Sequence, residues 1–230
     1  MKDKRLIGIA SALPVEMELI LKEMEGTETE YHAGMPFYRG SVRGLDVILA
    51  ACGVSKVNAS LFTQIMIDRY GPECIIFTGV AGSMDERVKR LDMVAAEALT
   101  FYDVSVKQLK NCFPYQDRFR CDPFLTELIR EDDETGHFGL IITGDQFISD
   151  KETREGLKER FPEALAVEME GAAVAQTSYI NTVPFALIRC ITDNADDDAE
   201  SSYYELEQTA AYRSAGLLLR TLDRLKQKMR

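Results

Sequence analysis

The sequence predicts an α/β fold, a single domain with a mixed, mostly parallel sheet flanked by helices. Three observations predict it. Apolar strand-like runs and amphipathic helix-like runs alternate from end to end. The chain has 230 residues with 46% apolar content, which suits one domain with a substantial core. No repeat, low-complexity linker or break in composition divides residues 1–230.

The elements follow in order. A first strand is expected over 6–12, a largely apolar run. Pro14 suits the first turn of a helix over 14–25, with Met17, Ile20, Leu21 and Met24 as its buried stripe. Strands are expected over 36–42 and 45–52, and Phe37 to Asp46 contains Arg39-Gly40 and Arg43-Gly44, turn signals for a hairpin. A helix over 55–70 leads to strands over 74–80 and 93–102. The stretch 103–122 is the least regular. It carries aromatic residues that look exposed (Phe113, Tyr115 and Phe119) and reads as a loop at the site or at a subunit interface. Helices are expected over 123–132, 150–161 and 171–181, with strands over 138–144, 164–169 and 184–192. The last helix, 202–229, opens on Ser202 and Glu205 as a capping box. Its stripe of Ala211, Ala215, Leu218, Leu222, Leu225 and Met229 is core packing, not a cofactor box.

Composition narrows the function. A formal charge of −11 disfavours a nucleic-acid partner. The run Asp196-Asp197-Asp198 reads as a solvated loop, not a metal site. Five cysteines at irregular spacing point to free thiols in a reducing cytosol, with Cys52, Cys74 and Cys190 as small core residues. His32 and His137 sit in no motif. The apolar run at 6–13 is too short for a signal peptide, and no run is long enough to cross a membrane. A cytoplasmic protein without metal, cofactor, membrane or nucleic-acid partner is expected.

The most informative stretch is Ala166-Val167-Glu168-Met169-Glu170-Gly171, where a buried-looking strand ends in two carboxylates before a small-residue helix start. Open α/β sheets bind ligands at such strand ends. A buried carboxylate needs hydrogen-bond donors, and the vicinal diol of a sugar supplies two. The plain alternative is that both glutamates favour a helix N-terminus. A second apolar strand ends in Thr192-Asp193, and Glu16 lies just past the first. Glu18 stands four residues before Lys22 as a solvated pair, whereas Glu16 sits at the edge of the buried stripe.

Six blocks, in order and at compatible spacing, carry a resemblance that spans nearly the whole chain. They are Ile7-Gly8-Ile9 followed by Glu16, Cys52-Gly53-Val54-Ser55-Lys56-Val57, Thr78-Gly79-Val80-Ala81-Gly82, Thr143-Gly144-Asp145-Gln146-Phe147-Ile148, Val167-Glu168-Met169-Glu170, and 189–193. This pattern resembles the nucleoside phosphorylase and nucleosidase family, most closely its 5′-methylthioadenosine/S-adenosylhomocysteine nucleosidase branch. The resemblance implies hydrolysis of an N-ribosidic bond in a 5′-substituted adenosine, with a small-molecule nucleoside as partner. It implies that Glu16 activates water and Asp193 protonates the purine at N7. Glu170 would bind the ribose hydroxyls, Met169 the sugar face, Phe147 the purine face and the Ile148 backbone the purine edge. Thr192 would hydrogen-bond near Asp193, and Arg189 would orient the acids and the water unless it is a buried structural ion pair. Val54 and Val80 belong to the substrate-binding blocks. Glu168 would then be structural or support the residues that touch the substrate. A homodimer is implied too, because in the family a loop like 103–122 crosses to the neighbouring site.

The chain departs from the family in three places. Val80 stands where a small hydroxyl residue is frequent, Ser83 where a second glycine is usual, and 103–122 looks short, which leaves the 5′ pocket open. Two rival functions remain. A phosphorylase would use phosphate as nucleophile, but its phosphate-holding Gly-Asp-Pro segment is here Ser11-Ala12-Leu13-Pro14-Val15-Glu16, and a carboxylate there repels phosphate. A non-catalytic nucleoside-binding protein on the same fold would have little need of Glu16, Glu170 and Asp193 together.

Overall fold

The structure is a computed structural model that describes residues 6–133 and 136–228. The chain begins β1 (Leu6–Ser11), α1 (Pro14–Lys22), β2 (Glu25–His32), β3 (Met35–Val42), β4 (Leu45–Ala51), α2 (Lys56–Tyr70) and β5 (Cys74–Ser83). It continues β6 (Met93–Phe101), α3 (Val106–Asn111), β7 (Phe119–Arg120), α4 (Pro123–Asp132), β8 (His137–Thr143) and α5 (Lys151–Arg160). It ends with β9 (Ala164–Glu168), α6 (Gly171–Ile180), β10 (Phe185–Asp193) and α7 (Ala199–Lys228).

All ten strands join one sheet, as a mixed and mostly parallel centre predicts. β4, β1, β5 and β10 lie side by side and parallel. β6, β8 and β9 form a second parallel run. Two antiparallel pairings, β10–β6 and β5–β9, join the runs. The strands β5, β10, β6, β8 and β9 therefore close into a ring, and β1, β4, β3 and β2 extend from it. The hinge of this arrangement is β5. Its first half pairs with β1 and its last two residues, Gly82 and Ser83, pair with β9. That turn brings the end of β9 to the ends of β1 and β10.

Helices cover both faces. One face packs Phe62 and Met66 of α2 and Ala172, Ala173 and Val174 of α6 onto the sheet. The other packs Met17 and Ile20 of α1, Leu128 of α4, and Leu218 and Leu222 of α7. Each buried leucine or isoleucine contributes about 1.5–3 kcal/mol. The stripe of Ala211, Ala215, Leu218, Leu222 and Leu225 is buried, as its spacing predicts. Met229 lies outside the described residues.

Several expectations need correction. The final helix starts at Ala199, so Ser202 is a buried residue inside it and not an N-cap. Only Arg43-Gly44 makes the hairpin turn, with φ of 54° and 73°, whereas Gly40 lies inside β3 opposite Val47. α1 ends at Lys22, short of the expected 25, so Met24 lies beyond it, and Leu21 and Met24 are only half-buried. The elements β2, α3 and β7 have no counterpart in the sequence reading. Phe119 is buried in β7, not exposed.

Candidate active site

Glu16 lies in the first turn of α1, immediately beyond the end of β1. Its Oε2 accepts hydrogen bonds from the Ala12 and Leu13 amides at 2.8 and 2.7 Å, and its Oε1 from the Val80 amide at 3.0 Å. The carboxyl is therefore both a helix cap and a wall of the site. Only a glycine at 79 permits this, because a Cβ there would fall on Glu16 Oε1. Burial raises the Glu16 pKa above its ordinary value, opposed by Arg189 and by the three amides.

The chain turns after Glu168, the last residue of β9, which separates the two glutamates of the 168–170 segment. Glu168 Oε2 accepts from the amides of Glu170 and Gly171 at 3.2 and 2.7 Å and from Arg189 Nη2 at 2.7 Å. Thr143 Oγ1 donates to its other oxygen. Glu168 thus holds the N-terminus of α6 and neutralises Arg189. Glu170 instead points to the β4–α2 connection, where the Ser55 amide donates to its Oε1 at 2.9 Å. Burial, and next the charge of Glu168, push the Glu170 pKa up to about 8.

Asp193 ends β10, two strands from β1. Its Oδ2 accepts from the Thr192 hydroxyl at 2.7 Å and its Oδ1 from the Ala195 amide at 2.8 Å. A Cβ at Gly82 would stand 2.7 Å from Asp193 Oδ1, so this glycine gives the acid its room. Burial raises the Asp193 pKa against both hydrogen bonds.

Glu16, Glu168, Glu170 and Asp193 all line one cavity of about 280 Å³. Its walls also include Met169, Phe147, Thr192, Val80 and Val54. Ile148 lines a smaller adjoining cavity of about 30 Å³ that shares Phe147, Met169 and Asp193. Arg189 does not reach either cavity. It is buried behind the wall, paired with Glu168 and set over the Phe77 ring. The stretch 103–122 lines neither cavity; Phe113 and Pro114 border a separate groove with Tyr179 and Phe185. Sequence reasoning missed Glu200, Tyr203 and Tyr204, which α7 contributes to the main cavity. The Phe147 and Tyr203 rings meet edge to face at 5.7 Å. The available signal was a polar aromatic pair opening a helix after an acidic run. Among the described residues no group of His, Cys, Asp and Glu could hold a metal ion.

The family model described as the phosphorylase superfamily matches residues 6–224. A 5′-methylthioadenosine/S-adenosylhomocysteine nucleosidase of Tolumonas auensis is 36% identical over 228 residues, covering 95% of this chain and 99% of the relative. A nucleosidase of the same description from S. pneumoniae, solved with the transition-state inhibitor MT-ImmA, matches with a TM-score of 0.90 and 32% identity, over 96% of this chain and 99% of its own. A futalosine hydrolase of Helicobacter pylori matches with a TM-score of 0.90 and 31% identity, over 96% and 98%.

Proposed function

The chain belongs to the phosphorylase superfamily, in its 5′-methylthioadenosine/S-adenosylhomocysteine nucleosidase branch, and on that premise we propose that it hydrolyses the N-ribosidic bond of 5′-substituted adenosines to release adenine. One observation supports water over phosphate as nucleophile. The amides of Ala12, Leu13 and Val80 converge where an anion would sit, and the chain's own Glu16 carboxylate fills that place. A phosphate would have to displace it or lie against it at low dielectric.

The residues divide the chemistry as follows. Glu170 accepts the ribose hydroxyls, while Met169 packs on the sugar and Phe147 on the purine face. Asp193 enters protonated, which its burial favours, and gives its proton to N7 of the purine. The C1′–N9 bond breaks with its electron pair passing into the purine. The positive charge left on the sugar is stabilised by Glu170 as a carboxylate, the form that donating hydroxyls favour. A water attacks C1′ and loses its proton to Glu16. Arg189 contributes from behind the wall, by opposing the rise in the Glu16 and Glu170 pKa values.

A 6-amino purine suits Asp193, whose second oxygen accepts from the exocyclic amine. A 6-oxo purine would set acceptor against acceptor at a cost of about 1–3 kcal/mol. That corresponds to a roughly ten- to hundredfold preference for adenosine-type substrates. Val54, Phe147, Tyr203 and Tyr204 give the cavity an apolar and aromatic side, which fits a thioether better than a bare hydroxyl. Methylthioadenosine, S-adenosylhomocysteine, 5′-deoxyadenosine and aminofutalosine-like nucleosides are all candidates. The test is incubation with methylthioadenosine, with and without phosphate. Free adenine and the free sugar are expected in both; strict dependence on phosphate, with a sugar 1-phosphate as product, would sink the reading. Methylthioinosine should be the poorer substrate by kcat/KM.

We further propose a homodimer in a reducing, cytoplasmic setting. Val57 and Leu61 on α2, Tyr179 and Ile180 at the end of α6, and Phe113 and Tyr115 are exposed large apolar side chains. Light scattering should give twice the 25.9 kDa chain mass at micromolar concentration, and a monomer mass would contradict the pairing.

A further inference from the structure

The Ser55 amide is the one donor from outside its own segment that meets Glu170 in the free protein among the described residues, and its backbone is unusual. Ser55 has φ 101° and ψ 154°, a region that residues with a Cβ occupy only when their surroundings hold them there. The neighbouring residue supplies the hold. Lys56 Nζ lies 2.6 Å from Asp103 Oδ2, beyond β6, and 3.5 Å from Asp145 Oδ2, beyond β8. The Lys56 amide donates to Asp145 Oδ1 at 2.8 Å, and the Asp145 amide donates to Asp103 Oδ2 at 3.0 Å. The ammonium also stands 5.6 Å from the centre of the Phe101 ring. One lysine therefore ties together the ends of three strand segments on one side of the cavity. Its side chain is 19% exposed. Isolated surface ion pairs contribute little, but this one is a partly buried network whose partners include main-chain amides.

We propose that Lys56 is a positioning residue for the sugar-binding carboxylate, because its ties to Asp103 and Asp145 hold the Ser55 amide on Glu170. This rests on the nucleosidase reading, in which Glu170 receives the ribose hydroxyls. Without the ammonium, Asp103 and Asp145 face each other uncompensated across the junction. The β4–α2 connection then relaxes from its strained conformation, and Ser55 no longer fixes the direction of Glu170. Substrate binding falls, whereas the acid and the base, held by other elements, stay in place.

The experiment measures KM and kcat for methylthioadenosine in Lys56→Met, Lys56→Arg and Asp103→Asn, together with the affinity of a non-hydrolysed adenosine analogue. Lys56→Met should raise KM about tenfold and lower kcat less than about threefold, within the scale of small misplacements at a site. Lys56→Arg should recover most of the loss. In a Glu170→Ala background, Lys56→Met should not weaken analogue binding further, since its effect passes through Glu170. An unchanged KM in Lys56→Met, a fall in kcat alone, or analogue-binding losses that multiply in the double variant would each overturn the proposal. If Lys56→Met does not fold, Asp103→Asn decides instead: a raised KM supports the link and an unchanged one overturns it. Adenine release by the unaltered protein is the separate check on the nucleosidase reading, so the two can fail independently.

Discussion

Exchanging Arg189 for methionine is the sharpest probe of how this site is held together. Arg189 is 1% exposed, and among the described residues its guanidinium makes one ion pair, with Glu168 at 2.7 Å. Its Nη1 reaches only the Ile188 carbonyl at 3.3 Å, and its Nε has no partner among the described residues. Methionine keeps the unbranched length and a favourable contact with the Phe77 ring, now 4.5 Å from the guanidinium carbon. What it removes is the one cation paired with Glu168 among the described residues. Breaking one partner of a buried pair costs about 3–5 kcal/mol, since the other charge stays buried and uncompensated. At about 2–4 °C per kcal/mol for a chain of this size, Tm should fall by roughly 6–20 °C. Adding Glu168→Gln tests the cause. The glutamine oxygen still accepts the Glu170 and Gly171 amides, and its amide group can donate to Thr143 Oγ1. The double variant should therefore be more stable than Arg189→Met alone. Thermal and urea unfolding at neutral pH measure both. A loss under about 1 kcal/mol in Arg189→Met, or a double variant no more stable than the single, would refute the reasoning.

Other outcomes follow from the same geometry. Glu16→Gln and Asp193→Asn should each lower turnover at least about a hundredfold, the scale for losing a general base or acid; near-normal turnover in either would remove that residue from the mechanism. Gly79→Ala should act like Glu16→Gln in steady-state kinetics, because its Cβ meets the Glu16 carboxylate; unchanged kinetics would show that Glu16 can move without consequence. The pKa values of Glu16, Glu170 and Asp193 are all raised in the folded protein, so between the unfolded and the folded value of each the folded chain binds protons that the unfolded chain releases. Their stabilising effect is complete below the ordinary values of 4.5 and 3.8 and is lost as pH climbs through the folded values, about 8 for Glu170. The Tm of the free protein should therefore fall between about pH 5 and pH 8, and Glu170→Gln should flatten the slope; equal slopes in the two proteins would contradict it.

The sequence makes legible those parts of the fold that bury one face in a regular period. β1, β4, β5, β9 and β10 are nearly continuous apolar runs, and α7 carries an evident stripe. β2 is invisible because it buries almost nothing: seven of its eight residues are exposed, so Glu25-Gly26-Thr27-Glu28-Thr29-Glu30 has no alternation to read. Its partner is fixed by main-chain pairing with β3. The closure of the sheet is equally hidden, since β5–β9 rests on two residue pairs at the end of a long strand. At the site, the acids declare themselves because a carboxylate at the end of an apolar run needs an explanation. Arg189 is harder, because a buried guanidinium looks the same in a sequence whether it meets a ligand or a glutamate. Glu200, Tyr203 and Tyr204 reach the cavity through the direction in which α7 leaves β10, which no local pattern encodes.

The closed ring also decides how copies of this protein meet in a crowded solution. A strand whose outer amides and carbonyls are unpaired is a template for another chain, and ring closure removes that hazard from five strands at once. The exposure left over is concentrated at β2, the terminal strand of the extension, where Glu25, Glu28 and Glu30 place like charges along an irregularly paired edge. Two such edges repel before their backbones can align. The segment that contributes least to the core thus has a colloidal role, keeping the sheet from growing past its own last strand.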